Sequence, residues 1–113
     1  VRQKATEDSV ESFLESKLAT AKTRAKSAEQ EFSITHGELM EMYQIQNGYC
    51  AISGLPMTHT RENSDFSISI DRIDNDAGYT VDNIRLVCWR ANSMRNKLTI
   101  EMFLWWCKQI AKD

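Results

Sequence analysis

Between Ser69 and Lys97 the chain concentrates residue types that handle cations and phosphates. Asp71, Asp74, Asp76 and Asp82, with Asp65 just upstream, form an acidic cluster; Arg85, Arg90, Arg95 and Lys97 follow in a stretch, Asn83 to Ile100, that holds no acid. A site for both a divalent cation and a polyanion needs that juxtaposition, and two neighbouring surface loops of opposite charge would show it equally. Phosphodiester hydrolysis needs a hard cation to neutralise charge on phosphate oxygens, and a group to orient or deprotonate water. Asp71, ending one element, and Asn92, on a later helix, are the oxygen donors able to converge on one Mg²⁺ or Mn²⁺, with waters and phosphate completing the shell. By themselves, Asp71 reads as well as a strand-terminal or capping carboxylate, and Asn83 as a turn residue.

These residues must be placed by their elements. Apolar spacing of three and four at Val10, Phe13, Leu14, Leu18, Ala21, Ala25 and Ala28 predicts a long amphipathic helix, its stripe first a packing surface and second a dimer seam. Lys17, Lys22, Arg24 and Lys26, near its C-terminal half, read as a solvated face before they read as phosphate contacts. Thr35-x-x-Glu38 forms a capping box that opens a second helix, closed at Asn47-Gly48. Tyr49 to Met57 reads as a short strand and turn, and Thr58 to Asp65 as a polar loop. Phe66, Ile68 and Ile70 alternate with serines, the period of a half-buried strand ending in acids. Ile84 to Cys88 fits a second strand or a helix entry, Asn92 to Lys97 a helix, and Thr99 caps a last helix with Phe103, Trp106, Cys107 and Ile110 on one face. Trp89, Trp105 and Trp106 read as core packing rather than base-stacking platforms.

The segment SIDRIDNDAGYTVDNIRLVCWRANSMRNK resembles the ββα-metal motif of HNH nucleases: D-H-I-D, a glycine loop, D-N-[IL], then C-x-x-x-N and a lysine. The resemblance covers Tyr49 to Lys97. It implies an α+β fold, a small and mainly helical domain built around that motif with added N-terminal and C-terminal helices. One domain spans 1–113: a helical part (1–47), the motif (48–97) and the last helix (98–113). The implied activity is single-metal DNA endonuclease cleavage with Mg²⁺ or Mn²⁺, Asp71 and Asn92 binding the ion and Asn83 bracing the strands. The alternative is a catalytically inactive DNA-binding module of the same fold, and a third reading is a protein-interaction domain.

Two departures from the family pattern matter. Arg72 stands where the general-base histidine is usual, and a guanidinium stays protonated near neutral pH, so Arg72 is expected to clamp the scissile phosphate. His59, in the loop before the Phe66 strand, is the substitute base, with His36 a weaker one. Cys50 and Cys88 keep the first cysteine of each expected C-x-x-C knuckle and lose the second, so no structural zinc is expected and packing must hold the fold. Arg85, Arg90, Arg95 and Lys97 are the expected nucleic-acid contacts.

Composition bounds the rest. The 113 residues are 42% hydrophobic and 27% charged, enough for one core, and the longest apolar run, Met102 to Cys107, is too short for a bilayer. A net charge of −2 supplies no overall pull toward nucleic acid or membrane. The expected partner is DNA, with a homodimer through helical apolar faces as an option. Three cysteines without a C-x-x-C pair point to a reducing compartment, the cytoplasm of a bacterial or phage-infected cell. The chain opens on Val1 and a polar stretch without an apolar signal core, which reads as a processed product or a piece of something longer.

Overall fold

The computed structural model describes residues 2–60 and 64–112, with the side chains of the first helix from Val10 onward. Four helices and a two-stranded sheet follow in the order α1 (Arg2–Ser27), α2 (His36–Ile45), β1 (Ile68–Arg72), β2 (Ile84–Cys88), α3 (Trp89–Arg95) and α4 (Ile100–Ala111). The fold is α+β. No helix among the described residues is long and apolar enough to cross a membrane.

The long first helix forms where its spacing places it, and Phe13, Leu14, Ala21 and Ala25 are buried. Small side chains at the last two of these positions let the helix approach the sheet closely. Its chain reverses at Glu29, which takes a left-handed φ of 55°, while Gln30 N–H donates to Ala25 O over 2.8 Å. The Thr35 capping box is complete: Thr35 Oγ1 accepts from Glu38 N–H, and Glu38 Oε1 accepts from Thr35 N–H at 2.9 Å. Leu39 then buries α2 against the core.

β1 and β2 pair antiparallel, with Ile68 opposite Cys88, Ile70 opposite Leu86 and Asp71 opposite Arg85. The core lies between this hairpin and the two N-terminal helices, around Leu14, Leu39, Ile68, Leu86 and Val87, each fully buried. Gln46 substitutes for a neighbouring strand beside β2: its side chain accepts from Leu86 N–H at 3.1 Å and donates to Leu86 O at 2.9 Å. Cys50 and Cys88 occupy this core as free thiols, and Cys50 Sγ accepts N–H groups from Ser53 and Cys88.

Three expectations need correction. Tyr49 to Met57 holds no strand, only a turn closed by an isolated bridge between Tyr49 and Pro56. The expected alternation fails on both sides of Ile68: before β1 Phe66 is exposed and Ser67 buried, and within it Asp71 is buried because a charge pair with Arg95 draws it inward. The last helix starts at its Thr99 cap, as the sequence predicts, yet buries only Phe103. Trp106 and Ile110 stay exposed, as do Trp89 and Trp105, so the tryptophans are surface residues and α4 adds little to the core.

Candidate nucleic-acid cleft

β2 leads directly into α3, and the first turn of that helix is anchored by the chain before β1: Trp89 N–H donates to Ser67 O at 2.7 Å and Arg90 N–H to Asp65 O at 3.0 Å. This β-β-α unit opens on a cleft of about 1110 Å³, walled by the end of β1, by α3 and by the C-terminal half of α1. Asp71, Arg72 and Asn92 all line it. The amide of Asn92 is oriented by Ser69, whose Oγ accepts from Nδ2 at 2.8 Å.

Asp71 is 2% exposed, and both its oxygens are taken. Arg95 Nη1 donates to Oδ1 at 2.7 Å and Arg85 Nε to Oδ2 at 3.0 Å. Arg95, itself 1% exposed, also donates to the carbonyls of Arg72 and Ile73, locking α3 to the end of β1. Two guanidiniums on one carboxylate satisfy a buried charge, as burial requires. Arg95 therefore has no side chain available to DNA, and Arg85, paired with Asp71 through Nε, does not line the cleft. Arg90 pairs with Asp65 at 2.8 Å on the surface. Of the four expected cationic contacts, Lys97 alone lines the cleft without an acid partner among the described residues. The acid-free reading of Asn83 to Ile100 held only along the sequence; folding brings Asp65 and Asp71 across to it.

Arg72 is held from three sides. Its Nη1 donates to Gln30 Oε1 and to Ala77 O, and its guanidinium stacks 4.9 Å from the Tyr79 ring centroid. Its remaining donors meet no protein acceptor among the described residues. Asn83 stands behind the cleft and ties the loop between the strands: Oδ1 accepts from Asp74 N–H at 2.9 Å, and Nδ2 donates to Asp74 O and Gly78 O. Gly78 is needed there because a Cβ would fall 2.4 Å from Glu31 O. Neither histidine lines the cleft. The ring of His36 contacts Glu11 O through Nε2, and His59 Nδ1 is buried without a partner among the described residues.

Sequence reasoning did not find the props of Arg72, namely Gln30 and Tyr79, nor the cleft wall from α1. Gln30 carries no sequence signal; Tyr79, after an essential glycine, carries a weak one. No group of three or more His, Cys, Asp or Glu side chains able to hold a metal ion occurs among the described residues.

The backbone arrangement has a known counterpart. The solved structure of PacI, a rare-cutting HNH restriction endonuclease that perturbs DNA, matches with a TM-score of 0.63 at 17% identity, over 84% of this chain and 74% of that one. The fold is HNH-like. At that identity the likeness is one of fold alone. A 42-residue segment, 37% of this chain, is 45% identical to an uncharacterized protein of Acanthamoeba polyphaga mimivirus and spans 8% of its length. No family model matches the chain.

Proposed function

We propose that this chain is a DNA endonuclease that binds and cuts the phosphodiester backbone in the cleft where β1, α3 and α1 meet. The observation carrying this reading is that Asp71, Arg72 and Asn92, from two elements of an HNH-like fold, line one cleft. The fold supports a nuclease-like role, and DNA is the partner proposed for it.

The cofactor the resemblance implies is one Mg²⁺ or Mn²⁺. The residues as arranged do not fit it: the Asp71 carboxylate is buried, each oxygen is committed to a guanidinium, and two positive charges beside it oppose a third and fourth. What the chain supplies is a fixed cation in Arg72, stacked on Tyr79 and able to donate to a phosphate oxygen as negative charge develops there. Asn92, with its nitrogen held by Ser69, leaves Oδ1 as an acceptor for a water. The proton acceptors available in the cleft are carboxylates, because no histidine lines it.

The same Asp71 geometry favours a second reading, a DNA-binding module that does not cut. Supercoiled plasmid incubated with the protein in Mg²⁺, Mn²⁺ or chelator separates the two: nicking that falls in Arg72→Ala supports the endonuclease, and binding without nicking supports the module. A homodimer through α4 belongs to the proposal only as far as exposed Leu104, Trp105, Trp106 and Ile110 motivate it.

A further inference from the structure

We propose that α1 forms the second wall of the DNA groove, with Lys17 and Arg24 contacting backbone phosphates of the bound strand. This rests on the reading of the cleft as a DNA site and names residues that reading did not need. Lys17, Thr20 and Arg24 are spaced three and four apart on one helical face, and all three line the cleft that holds Arg72 and Asn92.

Apart from Arg72, the arginines and lysines near this cleft fall into two groups. Arg85, Arg90 and Arg95 each pair with an aspartate and serve the fold. Lys17, Arg24 and Lys97 line the cleft with no acid partner among the described residues. Lys17 lines the cleft while partly buried, with its ammonium 5.2 Å from the Phe13 ring centroid. Burial, and then the charge of Arg24, push the Lys17 ammonium below its ordinary value, so these two cations stand in mutual repulsion that an anion between them relieves. Lys22 and Lys26, on the same helix, are exposed and do not line the cleft.

The spacing selects a polymer over a single phosphate. Seven residues of helix set the two backbone positions about 10.5 Å apart along the axis, wide enough for the two side chains to reach different phosphates of one strand. Asp74, Asp76 and Glu101 also line the cleft, so its field is mixed and a strand must be threaded past the acids to reach α1.

Binding of a labelled DNA duplex by fluorescence anisotropy across a salt series tests the assignment. The K17A/R24A double variant is expected to bind about tenfold more weakly, with the salt slope reduced by about 2. The K22A/K26A variant is expected to stay within about twofold of the parent with its slope unchanged. A charge-keeping K17R/R24K variant restores the parent slope, which distinguishes lost contacts from a damaged fold. An unchanged slope in K17A/R24A, or an equal loss in K22A/K26A, overturns the α1 wall while leaving DNA binding intact. A parent protein that binds no DNA overturns the functional reading itself, and the wall with it.

Discussion

Arg95 on α3 and Asp71 on β1 meet at 2.7 Å, and each side chain is 1% exposed. This contact joins two of the elements that line the cleft, and with Arg85 it fills the carboxylate that the motif resemblance assigns to a metal ion. Removing one partner leaves a buried charge short of compensation. Arg95→Met is therefore expected to destabilise the fold by about 3–5 kcal/mol, measured as a shift of the urea midpoint at unchanged slope. A loss under about 1 kcal/mol would show that the pair does not hold α3 to the sheet.

Gly78 carries the next prediction. A methyl group there meets the carbonyl of Glu31, a backbone atom tied to Tyr79 N–H at 2.8 Å, so neither side yields cheaply. Gly78→Ala is expected to cost about 1–3 kcal/mol or more, and to weaken DNA binding as well, because Tyr79 and its stacked Arg72 shift with the loop. Thermal melts and anisotropy on the same samples check both effects.

The histidines supply a prediction in the opposite direction. Since neither lines the cleft, His59→Ala and His36→Ala are expected to leave nicking within about twofold of the parent. A loss of a hundredfold or more in His59→Ala would return that residue to the chemistry.

The core thiols give a pH dependence. Burial, then the charge of Cys50 beside it, raise Cys88 from 9.0 to about 11, so the fold favours its neutral form. In Cys50, burial works upward, but the Ser53 hydroxyl and the N–H groups around Sγ outweigh it and the net direction is down. The two linkages have opposite signs. The Cys88 contribution is fully present below the unfolded value of 9.0 and is lost as pH rises toward 11, on the order of 2 kcal/mol. Stability of the parent minus that of Cys88→Ala, followed from pH 8 to pH 11, is expected to fall; a flat difference would contradict the assignment.

Local signals were legible where the physics is local. The Thr35 capping box, the Thr99 cap and the spacing of Phe13, Leu14, Ala21 and Ala25 are written within one or two turns, and the helices form there. The first strand was legible from the alternation around Ile68 and Ile70, Ile84 to Cys88 stayed open between strand and helix entry until its partner β1 lay beside it, and the order Asp71, Gly78, Asn83, Asn92 pointed to the HNH-like fold. What the sequence hid depends on distant partners. Asp71 looks like a free ligand until Arg95, 24 residues later, lies beside it. The apolar face of α4 looks like core because amphipathicity marks a face without saying whether anything covers it. Lys17 and Arg24 look like solvated charges until α1 is laid against the hairpin.

The most direct measurement is nicking of supercoiled plasmid by the purified protein in Mg²⁺, Mn²⁺ and chelator, beside Arg72→Ala and Asn92→Ala. The account predicts relaxed circles from the parent in at least one of these conditions and a clear loss in both variants. Plasmid that stays supercoiled in all three, or nicking that both variants retain in full, contradicts it.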